Sequence, residues 1–142
     1  MNRLARLLTA VLSSAVLLVA GTATTATAAP VATLGDAPPG VRCSFFWNTS
    51  FADTCFESDG DDQWIRDLVA NGWAAVVHVQ LNYLKDRTCK AMPAAEGWGV
   101  CKFDHVEDKC VRFQLYEQKG DAIRNRTHWS RWFHVNGTGY CD

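Results

Sequence analysis

Between residues 71 and 83 the chain reads Asn-Gly-Trp-Ala-Ala-Val-Val-His-Val-Gln-Leu-Asn-Tyr, and from Val77 onward apolar and polar side chains alternate one for one. Val77, Val79, Leu81 and Tyr83 fall on one side and His78, Gln80 and Asn82 on the other, the two-residue period of a strand with one buried face. The Asn71-Gly72 pair ahead of it suits the positive φ angles of a tight turn. The same period returns over residues 110–117, where Val111, Phe113 and Leu115 oppose Arg112, Gln114 and Tyr116. It returns again over 129–135, where Trp129, Arg131, Phe133 and Val135 alternate with Ser130, Trp132 and His134. Shorter strands are expected at 43–47, 87–90, 97–103 and 122–126. In residues 62–70, Trp64, Ile65, Leu68 and Val69 could line a helical face, but turn signals at 58–61 and 71–72 bracket the segment closely, and a strand over 63–69 is the better reading. The pattern predicts an all-β domain, a small antiparallel β-sandwich or partly closed barrel.

The alternation begins only after residue 42. Arg3 and Arg6 precede residues 7–21, which are apolar apart from Thr9, Ser13 and Ser14, and Ala26-Thr27-Ala28 fits a small-x-small cleavage site. Residues 1–28 therefore read as an export signal. Their apolar core falls short of the roughly 20 residues of a spanning helix, so no membrane insertion is expected once the signal is removed. Residues 29–41, with Pro30, Pro38, Pro39, Gly35, Gly40 and no aromatic residue, read as a flexible leader. Residues 42–142 remain as a single domain of about 100 residues.

A domain of that size has a modest core, and all six cysteines lie within it: Cys43, Cys55, Cys89, Cys101, Cys110 and Cys141. An even count in a small exported chain reads as three disulfides and a secreted, extracellular location. Sequence alone does not choose among the pairings, but Cys43 with Cys55 and Cys89 with Cys101 share one separation, which would leave Cys110 with Cys141. Zinc is disfavoured because no Cys-x-x-Cys occurs.

Several of these features carry a resemblance. The order Gly60-Asp61, Trp64, Asp67, Asn71-Gly72, Ala75, Val77, then cysteines 89 and 101 around a Gly-rich turn, Val111-x-Phe113, and Trp129-Ser130-x-Trp132 resembles the small secreted β-proteins of actinobacteria such as Streptomyces, a family of unknown function. The resemblance implies an exported β-fold and no activity. The chain departs from that family in carrying Cys43 and Cys55, and in having Trp129 where a cysteine would precede the serine, which leaves the pairing of Cys110 with Cys141 open. Residues 71–93 are also similar to part of the proteinaceous α-amylase inhibitors, without their Trp-Arg-Tyr triplet. That similarity implies inhibition of a secreted hydrolase, such as an amylase or protease, as the alternative to binding.

Six tryptophans, Trp47, Trp64, Trp73, Trp98, Trp129 and Trp132, are many for such a domain. Their ordinary role is to fill the core with the indole N–H at its rim. Strict alternation would put Trp129 and Trp132 on opposite sides of one strand. One ring would then be exposed and, with Trp98 on a Gly-flanked loop, could form a stacking platform for sugars. Without Arg3 and Arg6 the chain keeps 12 basic residues against 15 acidic ones, a net charge of −3, which excludes general nucleic-acid binding. The charge is uneven: residues 109–131 hold six Lys and Arg against Glu117 and Asp121. Candidate binding residues are therefore Trp98, Arg124, Arg126, Trp129, Arg131 and Trp132, with a polysaccharide of the cell envelope or a secreted enzyme as partner.

Catalytic signatures are lacking. There is no Gly-x-Ser-x-Gly, no phosphate loop, and no metal-type spacing among His78, His105, His128 and His134, which are read as surface residues. Glu57 and Asp67 are the carboxylates that could pair for glycoside hydrolysis, which needs them about 5 to 10 Å apart. Glu57, Asp59, Asp61 and Asp62 could offer oxygens to Ca²⁺ but miss the EF-hand pattern and read as an acidic turn. No catalytic residue, metal or cofactor is expected, and a binding or interaction protein is preferred to an enzyme.

Overall fold

Ten strands and one short 3-10 turn carry the fold of residues 32–34 and 43–142, which are the residues that the computed structural model describes. The predicted signal, and the predicted leader apart from residues 32–34, lie outside them. In chain order the strands are β1 (Thr33–Leu34), β2 (Cys43–Asn48), β3 (Ala52–Glu57), β4 (Asp62–Asp67), β5 (Ala74–Leu81), β6 (Arg87–Lys90), β7 (Trp98–Lys102), β8 (Cys110–Lys119), β9 (Ala122–Arg124) and β10 (Phe133–His134). The 3-10 turn, Ala94–Glu96, follows Pro93. One sheet has the order β1-β7-β4-β3-β2 and the other β10-β8-β5-β6, with β9 added to β8. Every pairing is antiparallel.

The two sheets meet across the faces that the alternation marks. Val77, Val79 and Leu81 of β5 and Val111, Phe113 and Leu115 of β8 are buried against Phe56 of β3 and Ile65 of β4. Phe45 of β2 stacks on Phe113 with ring centroids 4.8 Å apart, and Phe56 lies 5.5 Å from the same ring. Each such buried side chain stabilises by about 2 kcal/mol. The turn from β3 to β4 is made by Gly60 and Asp61, both at positive φ, and Gly72 takes φ 76° ahead of β5.

Three disulfides close the domain: Cys43–Cys55 between neighbouring strands β2 and β3, Cys89–Cys101 between β6 of one sheet and β7 of the other, and Cys110–Cys141 between the start of β8 and the C-terminal residues. Of these only Cys89–Cys101 joins two sheets, so it locks the sandwich itself. In the chain-entropy account a loop of this size contributes about 3 kcal/mol.

The structure departs from the sequence reading in four places. β3 was not anticipated, because Asp53, Thr54 and Glu57 hide its pattern, yet all six of its residues are buried. Its inward residues are Ala52, Thr54 and Phe56, and Thr54 is accommodated because its hydroxyl donates to Trp64 O and accepts from Gln63 Nε2. The strand expected over 129–135 is reduced to Phe133–His134. Thr33–Leu34, within the predicted leader, pairs with Val100 and Gly99 of β7, since a sheet edge offers unpaired N–H and C=O groups that any extended segment satisfies. Finally, the buried core contains no tryptophan: all six are half-buried, and phenylalanine, valine, leucine and isoleucine fill the interior.

Candidate functional site

The site grows from the edge of β8 that faces away from β5. β10 pairs with Cys110 and Val111 at its beginning and β9 with Glu117, Gln118 and Lys119 at its end. Between them residues 125–132 follow β8 without forming a regular ladder. The N–H groups of Thr127 and Ser130 donate to Leu115 O and Phe113 O, at 2.9 and 2.8 Å. In return the N–H groups of Leu115 and Phe113 donate to the hydroxyls of Thr127 and Ser130, at 3.0 and 2.9 Å. Two side-chain oxygens thus stand where backbone carbonyls would accept, and the strand period is lost.

That local irregularity decides the position of the tryptophans. Trp129 and Trp132 both reach the outer face of the second sheet, where the Arg112 guanidinium lies 4.8 Å from one ring centroid and 4.7 Å from the other. Strict alternation would have separated them. Arg112 Nε donates to Gln80 Oε1 at 2.6 Å, while its two terminal nitrogens have no acceptor among the described residues. Trp129 also rests against His78, with ring centroids 4.9 Å apart, and His78 Nε2 is 2.9 Å from Asp86 Oδ2. Gln114 Nε2 donates to Thr127 O, and Arg126 lies over Tyr116, whose hydroxyl pKa is raised by burial. The face is a polar surface crossed by a Trp129–Arg112–Trp132 stack.

The other side of residues 128–131 borders a cleft of about 230 Å³ against β2. Phe46 and Tyr140 stand there 54 % and 49 % exposed, Trp47 and His128 also line it, and Arg131 lies 4.1 Å over the Tyr140 ring.

The six predicted binding residues therefore divide. Trp129, Trp132 and Arg126 share the outer face of the second sheet, and Arg131 belongs to the adjoining cleft. Trp98 is on the first sheet, beneath the Arg66 guanidinium at 5.0 Å and 6.5 Å from Phe46, and does not join the Trp129–Trp132 pair. Arg124 is taken up by Glu117 at 2.9 Å and by the Trp73 ring at 4.2 Å. Sequence reasoning missed Arg112, the residue that organises the face. Its position opposite Gln80 on the polar side of two alternating strands was the available signal, since it places Arg112 beside the residues of the β8 edge.

The remaining candidates separate too. Glu57 and Asp67 stand at opposite ends of the β3–β4 pair, paired with Asp62 and Ala52 respectively, and point to opposite faces. Five residues of strand put them roughly 17 Å apart, beyond the reach of a glycosidase pair. The acidic turn also disperses: Asp62 pairs with Lys102 at 2.9 Å, Asp61 accepts the His105 N–H at 2.7 Å, and Glu57 accepts Trp64 Nε1–H at 3.0 Å. His105 is no surface residue. It is buried between Phe56 and Phe103, and its pKa is lowered to about 4, first by burial and then by Arg87. Cys110, His134 and Cys141 bring ligand atoms within 4.8 Å of one another, a juxtaposition hidden in sequence, but the two sulfurs are joined to each other and offer no thiolate.

Comparison of the chain with protein-family models, with curated proteins and with solved structures returned no match.

Proposed function

We propose that the protein is a secreted binding module whose second-sheet face takes an anionic polysaccharide of the cell envelope. The observation that carries this reading is Arg112, in contact with two tryptophan rings and with both terminal nitrogens unpaired among the described residues. A guanidinium lying over two aromatic rings is fixed in orientation before a ligand arrives, and its planar fork suits carboxylate or phosphate groups. Gln80, His78 and Arg126 around it supply further hydrogen-bonding groups, and the exposed Phe46 and Tyr140 in the adjoining cleft offer ring faces for sugars. Three disulfides suit an oxidising, extracellular location, and the resemblance to small secreted actinobacterial β-proteins agrees with it. The test is retention on polygalacturonate compared with cellulose. Salt-sensitive binding to the acidic matrix, reduced roughly tenfold by Arg112→Gln or Trp132→Ala, supports the reading, and absence of retention on every matrix removes it.

Inhibition of a secreted hydrolase is the second reading. It is favoured by Leu84, which is 57 % exposed in the loop after β5. That loop is braced at Tyr83, whose hydroxyl accepts the Val106 N–H at 2.9 Å, and at Asp86, bonded to His78. A rigid loop presenting one apolar side chain fits an enzyme cleft. Assays against amylases and serine proteases, with Leu84→Asp as control, test it.

A further inference from the structure

A cavity of about 540 Å³ opens between the turn at 69–74 and the loop at 91–95. Arg112 lies opposite Gln80 and the cavity residue Ala74 opposite Gln118. Six residues of strand put the two sites roughly 20 Å apart, so this cavity is separate from the Trp129–Arg112–Trp132 face. We propose that it binds a small amphiphile with an aliphatic body and a single carboxylate.

Its walls are unusually well fixed for surface turns. Asp67, buried at the end of β4, accepts the N–H of Val69 at 2.9 Å and the N–H of Ala75 at 3.3 Å, spanning the turn with one carboxylate. Asn71 accepts the Trp73 N–H at 2.9 Å and donates to Glu117 Oε1 at 2.7 Å. Glu117, also buried, receives Arg124 through two hydrogen bonds of 2.9 and 3.1 Å, and that guanidinium caps the Trp73 ring. Two buried carboxylates therefore hold one turn, although burying a carboxylate is costly. A cavity built in this way is formed before any ligand arrives, which removes the ordering cost of binding.

The lining sets the ligand class. Ala70, Ala74, Ala91, Ala94, Val69 and Pro93 make it mostly aliphatic, and the run of alanines is what leaves the space. Its cation is Lys90, which has no ion-pair partner among the described residues. Lys119 Nζ stands 3.9 Å from where a Cβ on Gly72 would be, adding positive charge at the rim. Asp67, the acidic residue of the lining, accepts the two N–H groups that hold the turn, and Glu117 behind it faces the Asn71 amide and the Arg124 guanidinium. An apolar pocket of this volume with few polar groups is the usual form of a small-molecule site, and a lone ammonium at its wall selects an anionic head.

Isothermal titration calorimetry with decanoate, and with decanol as the uncharged counterpart, tests the proposal on the intact disulfide-bonded protein. The expected result is one-to-one binding of decanoate, weakened roughly tenfold by Lys90→Met while decanol is unaffected. Binding should be lost in Ala94→Trp, which fills the cavity. Ala95→Trp, at an exposed position on the same rim, serves where the first variant does not fold. Absence of binding to either probe at millimolar concentration overturns the site, as does binding that survives a folded tryptophan variant. Decanoate affinity unchanged by Lys90→Met overturns the anionic head.

Discussion

Glu117 and His105 are both buried ionisable residues, and they stand at opposite ends of the sandwich with opposite treatment. Glu117 receives Arg124, Asn71 and Asn125, so its charged form is favoured: its pKa is lowered chiefly by the Arg124 hydrogen bond. Neither ring nitrogen of His105 has a hydrogen-bond partner among the described residues, and burial together with Arg87 keeps it neutral. Beside it Asp61, one of whose oxygens also lacks a partner among the described residues, has its pKa raised mainly by burial. Burial alone thus does not set the charge state. Where donors converge on a carboxylate the charge survives and fixes a turn; where the imidazole finds no acceptor and a cation stands nearby, it is held uncharged among aromatic rings.

The largest effect expected from this contrast is acid sensitivity at the His105 end. Its folded pKa of about 4 lies below the ordinary 6.5, so the unfolded chain binds the proton more tightly. Stability is full above pH 6.5 and is lost as pH falls towards 4, by about 3 kcal/mol. Asp61 has the opposite sign, because protonation relieves its buried charge, and offsets part of that loss. Glu117 keeps its contribution above the ordinary 4.5 and loses it as pH falls through its lower folded value. Denaturant midpoints measured between pH 7 and 4 should fall in the wild type and hold in His105→Phe; equal slopes would refute the assignment.

Next in size is Glu117→Leu, which leaves Arg124, Asn71 and Asn125 without their common acceptor. Arg124 is partly exposed and recovers some hydration, so the expected loss is about 2 kcal/mol, read as a lowered Tm with a changed Trp73 fluorescence. Gly72→Ala should cost about 1 kcal/mol, since φ 76° strains any residue with a Cβ even where nothing clashes with it. The smallest effect expected is a gain. His105→Phe at pH 7 should stabilise by up to about 1 kcal/mol by removing two unpaired nitrogens from an aromatic environment, visible as a raised Tm.

Much of the fold was legible because β5 and β8 carry a strict two-residue period, and a half-buried strand has no other way to segregate apolar side chains. β3 was illegible for the complementary reason. It is buried on both faces, and its polar residues Asp53, Thr54 and Glu57 are satisfied by partners on β2 and β4, such as Asn48, Arg66 and Trp64, that no local pattern reveals. The site was half legible. Trp129, Trp132 and Arg126 were singled out by composition, whereas Arg112 entered only through strand register. Arg124 was misplaced because its true partner, Glu117, is turned towards it by the β8–β9 pairing.

By itself the amino-acid sequence determined the layer architecture, since alternation and turn residues act within a few positions of one another. It also carried the equal spacing that marked two of the disulfides. Tertiary structure alone decided which histidine is buried, that Trp129 and Trp132 share one arginine, and that one buried ionisable end is charged and the other neutral. Those outcomes depend on which donors distant strands bring within about 3 Å, a distance at which electrostatics and hydrogen bonding act and to which spacing along the chain is blind.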